Sequence, residues 1–338
     1  MTKFYASILG ILTLSLIALA PVVNAGGCCS GGTWDPHAFL DSEPGAAQPV
    51  QSGSIQENAT EKSGANTTKQ VERASTYPNG AILKPMKSVS SSEVVIDVSN
   101  DDSYAASHIK DAVHIPSRGF LNSEGNLKTG EDLAGLLGQA GISNGDSAVL
   151  YAGQESSGQA QFAFFVLNYL GQKEVRILDG SLADWKAAGL PEEVQEKNKT
   201  AVVYSPQVKP DVLAEYEYVK SGQAQIIDVR PFVDFGKGRI PGSIALDPAN
   251  VVKGDKIKDV GDLTAVFSRL DKENPIVVYS DDYSRSALVA YALQLMGYQA
   301  SIYSWEDWKA HETTELPAST APAGDDAVGS NYVKLGQT

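Results

Sequence analysis

The sequence predicts an α/β protein: two tandem units, each a mainly parallel sheet flanked by helices, preceded by a signal segment and a flexible tether. Three observations predict it. The chain has 338 residues, enough for two ordinary domains with tails. Short β-branched runs bounded by turn residues alternate with helical stretches such as 161–170 and 287–296, as expected of strands buried in a parallel sheet. The pattern also repeats: Val94-Val95-Ile96-Asp97-Val98 returns as Gln225-Ile226-Ile227-Asp228-Val229, and Ala148-Val149-Leu150-Tyr151 as Ile276-Val277-Val278-Tyr279.

In chain order, residues 1–25 read as a signal segment. Lys3 precedes an apolar stretch over 6–20, interrupted by Gly10, Thr13 and Ser15, and Pro21 and Val23-Asn24-Ala25 follow with small residues suited to cleavage. The alternative is an uncleaved anchor, because the stretch approaches the roughly 20 residues of a spanning helix. Gly26-Gly27-Cys28 resembles the end of a lipoprotein signal box, with Ala25 where leucine is usual. Cys28 is therefore a candidate lipid-attachment residue; a vicinal disulfide with Cys29, intermolecular pairing and idle thiols stay open. These are the chain's 2 cysteines, so the folded part has no internal disulfide.

Residues 26–78 read as a flexible low-complexity tether, too poor in large apolar residues to offset the entropy of ordering. Asn58, Asn66 and, further on, Asn198 head candidate N-glycosylation triplets in segments expected to be exposed. The first α/β unit is placed at 79–192, a linker at 193–204 within a polar stretch between prolines, the second unit at 205–318 and a disordered tail at 319–338. In each unit the long apolar helix stops at a glycine, Gly171 or Gly297. The repeat offset drifts from about 131 to about 123 residues, as changes in loop length produce.

Charge narrows the function. The 41 acidic residues outnumber the 27 basic ones for a net charge of −14, which gives a nucleic-acid backbone little to bind. His37, His108, His114 and His311 have no partners at metal-ligand spacing, so neither a metal nor another cofactor is expected.

Further matches accumulate within each unit. The first has Ile96-Asp97-Val98, Tyr104, Ser107-His108-Ile109, and Ile177-Leu178-Asp179-Gly180-Ser181 through Trp185 to Pro191. The second has Asp228-Val229-Arg230, Phe235-Gly236, Gly238-Arg239-Ile240-Pro241-Gly242-Ser243 and Trp308. In this order, twice, they resemble the rhodanese-like domain, and the pair resembles the tandem thiosulfate sulfurtransferases over about residues 79–318.

The resemblance implies an active cysteine at the end of the strand that here reads Val277-Val278-Tyr279. There, converging backbone N–H groups and a helix start stabilise thiolate and persulfide. The matching position is Ser280 in the second unit and Ala152 in the first. A serine hydroxyl cannot make the S–S linkage of sulfur transfer. The span from Ser280 through Asp281, Asp282, Tyr283 and Ser284 to Arg285 keeps the family's loop length and is a candidate small-anion loop, with both aspartates opposing an anion. The resemblance makes His108 a packing residue, Trp185 and Trp308 read most simply as core or interface aromatics, and Ser280 lacks a nearby histidine base for hydrolysis.

The sequence thus predicts an exported, non-catalytic rhodanese-like binding or scaffold module, tethered at a membrane face or cell surface. Its expected partners are a small anion or a thiol-bearing protein, with membrane attachment through the lipid anchor or signal segment. The alternatives are rhodanese-type sulfur transfer through Cys28, Cys29 or a thiol-bearing partner, and a glycosylated structural surface component.

Overall fold

A computed structural model describes residues 72–315. The signal segment, most of the tether, Cys28, Asn58, Asn66 and the tail lie outside the described residues.

The first domain comprises β1 (Leu83–Lys84), β2 (Val94–Asp97), α1 (Asp101–Ala106), β3 (His108–Ile109), β4 (Val113–His114), α2 (Gly130–Gln139), β5 (Ser147–Tyr151), α3 (Gln159–Tyr169), β6 (Glu174–Leu178), α4 (Leu182–Ala187) and β7 (Glu192–Glu193). The second comprises α5 (Tyr216–Lys220), β8 (Gln225–Asp228), α6 (Phe232–Lys237), β9 (Ile244–Ala245), β10 (Val252–Lys253), β11 (Lys256–Ile257), α7 (Val260–Val266), β12 (Ile276–Ser280), α8 (Tyr283–Leu295), β13 (Ala300–Ser304) and α9 (Trp305–Glu315).

The sequence repeat becomes a topological repeat. The first sheet runs β1-β6-β5-β2-β4 and the second β13-β12-β8-β9, with every pairing within them parallel. Strands β5 and β12 occupy matching interior places, flanked by β6 and β2 in one sheet and β13 and β8 in the other. Their apolar runs are buried on both faces, as strands covered by helices must be.

Helices α3 and α8 join the halves. Positions Ala160 to Leu167 of α3 and Ser286 to Leu293 of α8 are buried all the way round. A helix with no polar face needs cover on every side, and here each lies between its own sheet and the other domain. Phe164 meets Tyr291 edge-to-face at 5.1 Å, and Phe162 stacks on Tyr283 at 5.1 Å. Gly158, at the start of α3, stands where an added Cβ would be 2.1 Å from the Ser284 carbonyl oxygen, so only glycine permits this approach. At the other end of α3, Gly171 is left-handed at φ 75°, as expected for a helix stop.

The tether drawn to residue 78 is too long at its end. Arg73–Thr76 forms a 3-10 turn and Tyr77 is buried, its hydroxyl donating to the Lys258 carbonyl at 2.7 Å. Composition hid this because the segment is polar, and its order comes from ion pairing and hydrogen bonds rather than a long apolar run. Contacts also reach into the stretch read as linker: Glu193 pairs with His108 across β7 and β3, and the Val202 amide donates to the Gly138 carbonyl at 2.9 Å. Tyr204 is buried beside α2.

Candidate functional site

The central strand of each domain carries a tyrosine near its end, Tyr151 as the last residue of β5 and Tyr279 one residue before the end of β12, and each hydroxyl is tied into the same local arrangement. In the second domain Tyr279 donates to Asp228 Oδ2 at 2.5 Å and accepts the Ile240 amide at 3.1 Å. In the first, Tyr151 bonds Asp97 and accepts the Ile109 amide at 2.9 Å. Burial, and then the neighbouring carboxylate, push the Tyr279 hydroxyl up to about 12. Sequence reasoning missed both tyrosines as organising residues. Their signal was available: each stands one residue before the cysteine-equivalent position, and each amide partner lies in a repeated motif.

Asp228 also pairs with Arg230, whose Nη2 is 2.6 Å from Oδ2. The guanidinium lies 3.7 Å from the Trp305 ring centroid and donates to the Gly238 carbonyl at 2.6 Å. This buried pair fixes the floor next to the loop that follows β12. The first domain has Ser99 at the corresponding place, donating to Asp97 Oδ1.

Ser280 is the last residue of β12 and is 3 % exposed. Its hydroxyl donates to Asp281 Oδ1 at 3.1 Å and accepts the Asp282 amide at 3.2 Å. Arg285 Nη1 reaches Asp281 Oδ1 at 2.9 Å and stands 3.5 Å from Ser280 Oγ. Asp282 caps α8, its carboxylate accepting the Ser284 amide at 2.8 Å. The amides of Arg285 and Ser286 both donate to the Asp282 carbonyl at 3.2 Å.

The predicted six-residue loop is therefore brought together, with its anion-binding groups engaged internally. Asp281 neutralises Arg285, and the carboxylate of Asp282 takes the Ser284 N–H at the helix start where an anion would otherwise bind. Tyr283 is turned to the other domain, against Phe162, and burial raises its hydroxyl pKa. The hydroxyl of Ser280 faces a carboxylate. A carboxylate is a weak base for drawing a proton from a serine hydroxyl.

The corresponding loop of the first domain begins at buried Ala152 and carries Glu155, which is also buried. Arg73 donates to both oxygens of Glu155, at 2.8 and 3.1 Å, to Asp179 at 2.5 Å and to the Ile257 carbonyl at 2.9 Å. The Ile257 amide donates to Glu155 at 3.2 Å, and Ser156 contributes backbone and side-chain bonds to Asp255. This loop is thus a contact between domains. Sequence reasoning missed Arg73 and Glu155, since the two are 82 positions apart and Arg73 had been assigned to the tether.

His108 is buried, stacks on Tyr104 at 3.8 Å and bonds the Tyr104 carbonyl through Nδ1, a packing arrangement. Trp185 and Trp308 are core aromatics of their own domains. Asn198 is exposed. Among the described residues no three or more His, Cys, Asp and Glu side chains are placed to hold a metal ion, and no helix is long and apolar enough to cross a membrane.

The family described as the rhodanese-like domain matches residues 82–188 and 214–311. The chain is 29 % identical over 213 residues to the sulfur carrier protein TtuD of Thermus thermophilus, covering 53 % of this chain and 73 % of that protein. It is 24 % identical over 225 residues to the thiosulfate sulfurtransferase of Gallus gallus, covering 58 % and 78 %. The crystal structure of SseA from Escherichia coli, described with the rhodanese fold and mechanism of 3-mercaptopyruvate sulfotransferases, superposes with a TM-score of 0.60 at 21 % identity, covering 66 % of this chain and 98 % of that one.

Proposed function

The chain belongs to the rhodanese-like domain family, and we propose that it is a non-catalytic member, a binding or scaffold module exported and tethered at a membrane face or cell surface. The observation that carries the reading is the Ser280 loop. Its sulfur position is an oxygen, its arginine is paired with Asp281, and its helix-start amide is taken by Asp282. Export rests on the pattern of residues 1–25, and tethering on Cys28 or an uncleaved apolar segment.

The test is thiosulfate:cyanide sulfurtransferase turnover by the full chain carrying Cys28→Ala and Cys29→Ala, which has no thiol. It should show no turnover above the uncatalysed rate; turnover by this variant would refute the reading. The N-terminal residues 72–82 must be kept, because Arg73 and Tyr77 are part of the folded domains. Intact-mass analysis of the native protein tests tethering and glycosylation together, by a diacylglyceryl adduct on Cys28 and glycans on Asn58, Asn66 or Asn198.

A second reading keeps the chain in sulfur transfer, through Cys28, Cys29 or a thiol-bearing partner. Relatives called sulfur carrier protein and thiosulfate sulfurtransferase favour it. Persulfide mass on either cysteine after incubation with thiosulfate would establish the cysteine route.

A further inference from the structure

We infer that α6 and the turn after it form a second membrane contact, in which Phe232 and Val233 enter the apolar edge of a bilayer and Arg239 meets its anionic headgroups. The inference rests on the reading of the chain as tethered at a membrane face, and it names the surface of the folded part that touches that membrane.

Among the described residues the exposed large apolar side chains fall in two stretches, from Val194 to Val208 and from Phe232 to Ile244. The second holds the aromatic one, Phe232, which like Val233 is 65 % exposed; Ile244 follows at 48 %. Helix α6 has no buried residue, although it carries Phe232, Val233 and Phe235. A helix of this composition ordinarily turns its apolar side to a core.

The first domain supplies an internal comparison. At matching positions of the repeat, Asp101 and Asp102 of α1 stand for Phe232 and Val233, and both are exposed. Tyr104 stands for Phe235 and Val113 for Ile244, and both are buried. The fold therefore accepts acidic residues where α6 presents apolar ones. The bare apolar surface is a property of this helix and not a demand of the architecture.

Charge identifies the contact. Exposed Arg239 lies over the Phe235 ring, 4.7 Å from its centroid, and has no carboxylate or carbonyl partner among the described residues. Its N–H donors are free to meet a phosphate. Lys237 is also exposed, and its surface pair with Asp234 at 2.8 Å is of a kind that holds weakly. In a chain of net charge −14, this stretch reverses the sign locally.

Shape favours a bilayer over a protein segment. Peptides lie in grooves or along sheet edges, and the edge strand β9 beyond α6 is 2 residues long. A standard protein interface needs about 800 Å² on each side, more than three side chains supply. A projecting apolar tip with cations beside it suits the boundary between headgroups and acyl chains. One lipid chain alone binds a membrane only marginally, and stable attachment takes two signals. The patch supplies the second.

The test places the full chain on vesicles of phosphatidylcholine and phosphatidylglycerol, comparing Phe232→Trp with Asp101→Trp, its counterpart in α1. Flotation reports whether the chain is attached. Quenching of the emission added over the parent, by lipids brominated on their acyl chains, reports whether the position enters the bilayer. The chain should float, and quenching should appear for Phe232→Trp and be absent for Asp101→Trp. Adding Arg239→Gln to Phe232→Trp should reduce the quenching at least about twofold. All three positions are exposed, so the folded state should survive. Flotation without quenching at 232, equal quenching at both positions, or quenching undiminished by Arg239→Gln would each overturn the contact and leave the tether standing. A chain that does not float would overturn both.

Discussion

Arg73 Nη2 lies 2.8 Å from Glu155 Oε1, joining the segment before the first sheet to the loop that follows that sheet's central strand. Because Ile257 of the second domain offers both its carbonyl to Arg73 and its amide to Glu155, the pair locks the two domains as well. Burial pushes the Glu155 carboxyl up, and Arg73 pulls against it. Removing the cation would leave that carboxylate buried without a counter-charge, held by the Ile257 amide alone.

Arg73→Ala should therefore lower stability by about 3 kcal/mol, the usual cost of stranding a buried charge. Arg73→Ala combined with Glu155→Ala should cost less than the sum of the two single changes, since the buried Glu155 charge is then removed together with its cation and only Asp179 loses a partner. Urea unfolding of the three variants checks both statements, and additive losses would show that the two residues are not coupled.

Tyr279→Phe should cost about 1 to 3 kcal/mol, because it leaves the Ile240 amide without its acceptor and takes one donor from the buried Asp228 carboxylate, which keeps Arg230, while the ring packing stays intact. Tyr151→Phe should behave alike, as the same position in the repeated framework. Thermal unfolding measures each, and a negligible effect at both positions would remove the tyrosines from the framework.

Ser280→Cys in the Cys28→Ala, Cys29→Ala background should not restore appreciable sulfur transfer. The Asp281 carboxylate stands 3.1 Å from the present hydroxyl and would oppose thiolate formation, and Asp282 holds the Ser284 amide. Adding Asp281→Gly and Asp282→Ser should raise persulfide formation from thiosulfate at least about tenfold, since it frees Arg285 and removes both carboxylates. Mass spectrometry after thiosulfate exposure reads the outcome; a fully active Ser280→Cys variant would show that the aspartates are no obstacle.

Glu93 predicts a pH dependence. Burial alone would raise its pKa, but the Ser90 amide and the cations of Lys84 and Arg176, each 2.9 Å from Oε1, bring it below the ordinary 4.5. A carboxyl with a lowered folded pKa stabilises the fold above its unfolded value and loses that contribution as pH falls through the folded one. Glu93→Gln should cost about 2 kcal/mol at pH 7, and its gap from the parent should shrink as pH drops below 4.5. Denaturant unfolding at neutral and acid pH measures it; a gap that widens in acid would contradict the ion-pair account.

Much of the architecture is visible in the residues because its signals are local. The apolar runs at Val94–Asp97, Gln225–Asp228, Ser147–Tyr151 and Ile276–Ser280 fix strand character through burial on both faces, and Gly171 marks a helix stop through backbone sterics. The recurrence of these pieces in one order gave the two-domain plan. The loop from Ser280 to Arg285 was legible for the same reason, being contiguous in sequence.

Which groups satisfy that loop was not legible, because Asp281 and Asp282 could have faced solvent; only the folded geometry turns one to Arg285 and the other to the Ser284 amide. The union of Arg73 with Glu155 and the stacking of Phe162 on Tyr283 depend on which surfaces meet across long stretches of chain. The sequence by itself determined the strands, the helices, the repeat and the chemical identity of the sulfur position. The tertiary structure decided that the first domain's loop became a domain lock and the second domain's loop was neutralised from within, since periodicity reports a residue's own burial and carries no record of its distant partner.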